Sequence, residues 1–593
     1  MSFAPRFGPR LEPGGGVTFR LWAPAAKQVE LVVDAPLPMQ ATGDGWYERR
    51  VDDAGAGRRY RFCIDREAEV PDPASHFQPD DVQGSSEVVD HRYQWQCANW
   101  KGRPWHDAVI LEAHVGTFTP DGTFRAAIER LDHLVETGIT AIELMPFADF
   151  AGRWNWGYDG VLLYAPDSAY GRPDDLKALI DAAHARGLMV FLDVVYNHFG
   201  PEGNYLSRYA PAFFTSRHTT PWGDAIDYRI PEVRAFAIEN ALHWVDHYRF
   251  DGLRLDAVHA IAEPGEPHIL HDLSRAVGEL AASTGRHIHL VLENDDNRAS
   301  LLDPAADIPR GKYRAQWNDD YHHAWHVLLT GETGGYYSDY AERPVDAVAR
   351  AVGAGFVYQG ETSAHRRGAP RGEPTSALPP AAFVNFLQNH DQIGNRAYGE
   401  RLSAIAPADG VEAALAVTLL APSPPLLFMG EEWGATQPFP FFCDFNGDLA
   451  EAVRKGRRAE FEAAFANVND VETIPDPLAE TTFRSAMLDW SAAGKEPHAS
   501  RLSLVRSLLA ARRRHVAPLI GAIRPGSGSA RVTDGVLQAS WRLDDGRALK
   551  LLANLTPQDA AAGTFPTVPT EIWGGEVAGH LPPWSVHWWL GAP

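Results

Sequence analysis

"PDDLKALIDAAHARGLMVFLDVVYNH", residues 173–198, holds two structural patterns back to back. Pro173 and two aspartates open a run whose apolar residues recur at helical spacing, and Gly187 closes it. "LMVFLDVV" follows, apolar on both alternate faces. A strand of that kind is buried on both sides, as in a parallel sheet covered by helices. Asp193, Asn197 and His198 gather at its C-terminal end.

The same alternation extends outward in both directions. "AVILEAHV", "ITAIELMPF", "LMVFLDVVYNH", "FDGLRLDAVHAI", "HIHLVLEND", "YRAQWNDD", "FVNFLQNHD" and "PLLFMGEEW" read as strands. Helical segments lie between most of them. One is "FRAAIERLDHLVETG", with Ile128, Leu131, Leu134 and Val135 on one face and Gly138 as its stop. Eight such units predict a (β/α)₈ TIM barrel with long βα loops. The alternative, a doubly wound open sheet, would carry a Gly-rich phosphate turn after its first strand, and "AHVGTFTPDGTF" is not one.

Residues 1–95 lack a sustained helical period. "GVTFRLWAPAAKQVELVVD" gives two short strands, and "ATGDGW" and "DDAGAG" supply turns, so an N-terminal β-sandwich is expected there. Residues 96–514 are expected to form the catalytic barrel. Residues 515–593 alternate again and predict a C-terminal all-β domain. The Gly-, Pro- and Arg-rich loop 363–380 is expected near the barrel mouth.

Lysine and arginine number 54 against 77 aspartates and glutamates, a formal charge of −23. That balance argues against nucleic acid or an anionic membrane as partner and suits a neutral substrate. The uncharged run 413–430 is broken by Ser423 and prolines, so it reads as a buried helix, a turn and a strand rather than a membrane span. Three cysteines, Cys63, Cys97 and Cys443, show neither disulfide nor metal-ligand spacing. The N-terminal stretch lacks an apolar leader, and a soluble cytoplasmic protein is expected. Eighteen tryptophans serve either large cores or flat platforms for sugar rings. For Trp22 and Trp46 the core reading is favoured.

Five polar clusters fall where barrel strands end, the place where such barrels keep their chemistry. They are Asp193, Asn197 and His198; Arg254, Asp256 and His259; Glu293; Asp319 and Asp320; and Asn389, His390 and Asp391. Taken singly, each could be a helix cap worth about 1 kcal/mol. Arg254 and Asp256 could be a structural ion pair inside the barrel. Jointly, Asp256, Glu293 and Asp391 end three strands and would converge. Two carboxylates facing one bond are what glycoside hydrolysis uses, one as nucleophile and one as acid. Arg254, two residues from Asp256 and on the same face, would keep the nucleophile ionised, while Glu293 would be pushed upward.

"DVVYNH", "GLRLDAVH", the single Glu293 ending "LVLE", and "NHD", in this order, resemble the motifs of the α-amylase superfamily. The resemblance covers the barrel and implies a retaining α-glycosidase or transglycosidase acting on α-glucans. It implies Asp256 as nucleophile, Glu293 as acid/base, and Asp391 as the carboxylate that holds sugar hydroxyls. It implies Arg254 as the nucleophile's partner, His198 and His390 as sugar hydrogen-bonding groups, and Tyr158 of "WNWGYDG" as the aromatic under the reacting sugar. "LVLENDDN", "AQWNDDYHH", "LQNHDQIGNR" and "LLFMGEEW" resemble the branch that takes malto-oligosyltrehalose. That branch cuts the α-1,4 bond next to the terminal trehalose. Glycogen branching and debranching enzymes share the layout and are the alternative, although a branching enzyme usually has an "AEES"-like acid segment. A glucan-binding scaffold without activity is disfavoured because all three carboxylates are present. His259, Asp319 and Asp320 are expected to bind substrate, the two aspartates on the trehalose side. Trp154 and Trp156 are expected either to stack on glucosyl rings or to pack loops. No cofactor and no metal are expected. Asn197 matches a position that supports calcium in many amylases, but a full set of oxygen ligands is not evident.

Overall fold

The computed structural model describes residues 5–220, 223–261, 263, 267–304, 309–464, 474–562, 570–575, 577 and 579–592. Eight strands pair in parallel and in chain order. They are β1 (Ile110–Ala113), β2 (Ala141–Leu144), β3 (Met189–Val194), β4 (Gly252–Leu255), β5 (His289–Leu292), β6 (Ala315–Trp317), β7 (Phe383–Phe386) and β8 (Pro425–Phe428). β8 pairs back with β1, so the barrel closes and leaves no exposed sheet edge. Every residue of these strands is buried. That burial is why they read as unbroken apolar runs rather than as alternating ones.

The helices outside follow the expected spacing, with one correction. "FRAAIERLDHLVETG" is not one helix but two, α1 (Phe124–Ile128) and α2 (Leu131–Thr137), separated by a turn at Glu129 and Arg130. The turn resets the helical phase. Leu131 and Leu134 face inward, whereas Val135 is 39% exposed. α3 (Pro173–Ala185) and α4 (Pro231–His247) both start on a proline, which has no N–H to leave unsatisfied there. α5 (Ile269–Thr284) ends on a left-handed Gly285, and α6 (Asp319–Thr330) starts on an Asn318 cap.

Before the barrel, two antiparallel sheets face each other. One contains Val17–Trp22 and Trp46–Val51, the other Val29–Val32 and Arg59–Ile64. Trp22 and Trp46 are buried, as the core reading expected, but on the face away from the second sheet, where Trp22 packs on Phe213 and Trp46 on Phe7. A five-stranded antiparallel sheet, Ser529–Thr533 to Val586–Gly591, follows the barrel. Residues 413–430 form the end of a helix (Ala408–Leu420), a turn and β8. Among the described residues, no helix is long and apolar enough to cross a membrane.

Gly252 shows how tightly the barrel wall is built. A Cβ there would lie 2.6 Å from the His289 carbonyl oxygen and 2.7 Å from the Phe191 ring. Backbone cannot yield as a flexible side-chain tip can, so overpacking of about 1–3 kcal/mol is expected. Gly252→Ala should lower the urea midpoint of unfolding and shift β4, which carries Arg254. An unchanged midpoint and unchanged activity would contradict this account of the wall.

Candidate active site

Arg254 lies on β4 inside the barrel and is 0% exposed. A buried guanidinium must be paired and hydrogen-bonded to be tolerated. Register supplies the partner, because Asp193 of β3 stands directly opposite Arg254. Arg254 Nη1 donates to both Asp193 oxygens (2.9 and 2.7 Å) and to Asp256 Oδ1 (2.8 Å). The guanidinium also lies 4.1 Å from the centroid of the Trp317 ring on β6. Its Nη2 is 3.9 Å from Glu293 Oε2, too far to hydrogen-bond.

Asp256 and Glu293 follow β4 and β5, and one backbone bend joins them. Ala257 has φ +41°, a left-handed conformation disfavoured for a residue with a Cβ. The bend turns the Ala257 N–H toward Glu293 Oε2 (2.6 Å) and the Val258 N–H toward the Glu293 carbonyl (3.1 Å). Asn197 Nδ2 donates to Asp256 Oδ2 (2.9 Å) and to its backbone carbonyl (3.0 Å). Burial raises the Glu293 carboxyl, Arg254 opposes the rise, and the charge of Asp256 adds to it. The net direction is upward, as the sequence led one to expect. Asp256 touches the cation directly and accepts two charge-holding hydrogen bonds. The two carboxyl groups therefore sit in unlike environments, one bonded to the guanidinium and one outside its hydrogen-bond range.

Asp391 follows β7, is about half exposed, and lies 3.5 Å from His390 Nε2. His390 is buried, and Glu112 of β1 accepts from its Nδ1. Burial works against the charge on His390, but Glu112 and Asp391 outweigh it and raise the imidazole to about 9. Glu112 was not singled out from the sequence. The signal was present, a carboxylate in the middle of the apolar "AVILEAHV". Tyr158 stacks on His390 with centroids 5.1 Å apart and donates its hydroxyl to Asp193 Oδ2 (2.6 Å). His198 lies against Asn197 Oδ1 through Nδ1 and against the Tyr158 carbonyl through Nε2 (2.8 Å). It thus braces the amide that holds Asp256. Asn197 spends both ends of its amide on Asp256 and His198.

On the Glu293 side opens a cavity of about 250 Å³. His259, Asp295, Asp319, Arg366, Arg371 and Asp391 are among its lining residues. The 363–380 loop supplies both arginines, at the barrel mouth. Arg366 and Arg371 clamp the Asp295 carbonyl (2.9 and 2.8 Å) just beyond Glu293. His259 is exposed, and its Nδ1 accepts from the Asp295 N–H (3.2 Å). Asp319 faces this cavity. Burial, together with Glu293 and Asp295, pushes its carboxyl well up.

One expectation needs correction, and one pair of alternatives is decided. Asp320 is not placed to bind substrate. It is fully buried and accepts from the Val357 N–H (2.6 Å), the Tyr358 N–H (2.9 Å) and Asn297 Nδ2 (3.0 Å) while pairing with Arg371 (2.9 Å). It holds the cavity wall from behind. For Trp154 and Trp156 burial of both rings supports the loop-packing alternative. Trp154 stacks on Phe483 and Trp156 on Phe439, with centroids 5.6 and 5.5 Å apart.

The His390–Glu112 pair makes stability depend on pH. A histidine whose folded-state value is raised from 6.5 to about 9 stabilises fully below about 6.5 and loses that contribution as pH rises through 9. The shift corresponds to about 3 kcal/mol at most. The Glu112→Gln variant should therefore be less stable than wild type at pH 7, with the gap narrowing by pH 10. Urea midpoints across that range test this. A gap that stays constant or widens would refute it.

Residues 77–217 match the family profile "Alpha amylase, catalytic domain". Residues 6–78 match "Carbohydrate-binding module 48 (Isoamylase N-terminal domain)", and residues 525–588 match a domain of unknown function, DUF3459. The chain is 45% identical over 515 residues to a malto-oligosyltrehalose trehalohydrolase of Deinococcus radiodurans, spanning 86% of this chain and 83% of that protein. It is 40% identical over 494 residues to one of Saccharolobus solfataricus, spanning 82% and 83%. A crystal structure from Salmonella typhimurium, provisionally named an alpha amylase, matches with a TM-score of 0.94 and 45% identity over 99% of this chain and 100% of that one. With a closed barrel, opposed carboxylates and relatives at this identity, the chain belongs to the malto-oligosyltrehalose trehalohydrolases of the α-amylase superfamily.

Proposed function

We propose that the protein is a retaining glycoside hydrolase that cleaves the α-1,4-glucosidic bond next to the terminal trehalose of malto-oligosyltrehalose and releases trehalose. One observation carries the chemistry. Arg254 binds Asp256 directly but stays out of hydrogen-bond range of Glu293. Asp256 is the nucleophile. It attacks the anomeric carbon and forms a glycosyl ester as the bond to the leaving oxygen breaks. Glu293 gives that oxygen its proton, then takes one from the water that hydrolyses the ester. Asp391 and the charged His390 hold hydroxyls of the reacting sugar. Tyr158 supplies the apolar face under it, and His198 keeps Asn197 on the nucleophile. A cytoplasmic location is part of the proposal, and three unpaired cysteines fit a reducing compartment.

The leaving group departs on the side of its proton donor, so the cavity beyond Glu293 receives trehalose. Asp319, its carboxyl pushed well up by burial and its acidic neighbours, is placed to hydrogen-bond a sugar oxygen there. Hydrogen-bonding groups discriminate sugars because a wrong partner leaves them unpaired. His259 and the two arginines complete that wall.

The first test is product analysis on malto-oligosaccharides of matched length, with and without a trehalose cap. Free trehalose should dominate, formed much faster from the capped chain. Comparable rates on both, or new α-1,6 linkages without trehalose, would favour an amylase or a branching enzyme instead. Glu293→Gln should reduce turnover by about 10²–10⁴-fold.

Asp319→Ala should reduce capped-chain cleavage by about 10- to 100-fold, the effect of one lost buried hydrogen bond, and plain-chain cleavage much less. Asp319→Asn keeps a donor and should retain more activity. Equal losses on both substrates would sink the trehalose-side assignment.

A further inference from the structure

Away from the barrel mouth, four histidines meet where the N-terminal region packs on α4. His76 and His91 come from the chain that leads out of the sandwich, and His243 and His247 from the last turns of α4. One ligand atom each from His76, His91 and His243 lies within 4.8 Å of the others. His91 Nε2 and His76 Nδ1 are 3.1 Å apart, and so are His247 Nδ1 and His243 Nδ1. Nitrogens bound at about 2.0–2.1 Å to one tetrahedral ion stand about 3.3 Å from each other. These spacings are close to those of a ligand shell.

Proton bookkeeping points the same way. His243 Nε2 lies 3.0 Å from the Tyr164 carbonyl, which can only accept, so the proton sits there and Nδ1 presents a lone pair to the cluster. In the neutral His76–His91 pair one ring donates to the other. An ion between the inner nitrogens would replace that shared proton, and the outer nitrogens, His76 Nε2 and His91 Nδ1, which have no hydrogen-bond partner among the described residues, would then both carry protons. The nearby cation, Lys177, is already matched, with Asp174 at 3.3 Å and the His91 carbonyl at 3.4 Å. His76, His91 and His247 also line a cleft of about 810 Å³ between the sandwich edge and the barrel, which gives an ion a way in.

We propose that His76, His91 and His243 form a binding site for one divalent transition-metal cation, with His247 at its edge. A set of imidazoles without thiolate or carboxylate suits zinc, nickel, cobalt or copper and not calcium or magnesium. The ion would clasp the segment leaving the sandwich to α4. It would act on the docking of the N-terminal region and leave the chemistry at Asp256 and Glu293 untouched.

The test uses the untagged full-length chain, stripped with a chelator and titrated with Co²⁺ alone. One equivalent should bind with the visible absorption of nitrogen-ligated cobalt. Zn²⁺ should displace it and raise the melting temperature by several degrees, while trehalose release stays unchanged. His91→Ala, at the least buried ligand, should lose both the absorption and the zinc-induced melting shift. X-ray absorption on the zinc-loaded wild type gives an answer that no folding defect of a variant can blur, and it should show scattering from three or more imidazoles. No stoichiometric binding, binding unaltered in a folded His91→Ala, or a shell without imidazole would each overturn the proposal.

Discussion

The rest of the structure depends on one guanidinium that water does not reach. Burying a cation is expensive unless carboxylates and hydrogen bonds surround it, and a single helix or an open sheet would leave Arg254 short of partners. The closed barrel solves this by register. β3 brings Asp193 opposite β4, β6 brings the Trp317 face, and the end of β4 brings Asp256. The pairing then propagates. Asp193 accepts from Tyr158, Tyr158 stacks on His390, and His390 is held by Glu112 on β1. Residues on or just beyond β1, β3, β4, β6 and β7, with Tyr158 from the stretch between β2 and β3, are thereby locked into one electrostatic unit. Removing either end of such a network would leave a buried charge uncompensated.

The carboxylates that face this unit differ by what they are allowed to touch. Asp256 meets the cation and an amide. Glu293 meets a backbone N–H and lies out of hydrogen-bond range of the cation, and desolvation raises both it and Asp319, one strand further. Carboxyl groups of similar intrinsic acidity are thus set apart by burial and by their neighbours across one cleft.

Most of the barrel was legible because its strands are buried on both faces, so each is an apolar run that ends in polar residues. The three carboxylates stood out only jointly, since one at a strand end could cap a helix while three on one rim would converge. What was not legible depends on tertiary packing. Asp319 and Asp320 are adjacent on α6, and nothing local says that one faces the cavity and the other braces residues 357 and 358 from behind. Trp154 and Trp156 flank a recognisable motif, yet Phe483 and Phe439, far along the chain, bury them. The break between α1 and α2 left no proline or glycine to mark it. Glu112 was visible in principle, but a mid-strand carboxylate gains meaning only when its partner, His390, is known to lie across the barrel.

The turn after Asp256 ties these levels together. A left-handed alanine costs about 1–2 kcal/mol, which glycine would avoid. Glycine, however, would leave that segment free in conformation, and the segment fixes two groups at once. Its peptide follows Asp256, and its N–H holds Glu293. With Ala257 the chain keeps the small side chain that the bend can accommodate and loses the freedom that would let Asp256 and Glu293 drift apart. The strain is sustained by what flanks it, Asn197 on one side and the Glu293 carboxyl and carbonyl on the other. The bend is therefore held by the same groups it positions. Strained backbone at this point of the barrel is the form that preorganisation takes when two carboxyl groups from neighbouring strands must be held in one geometry.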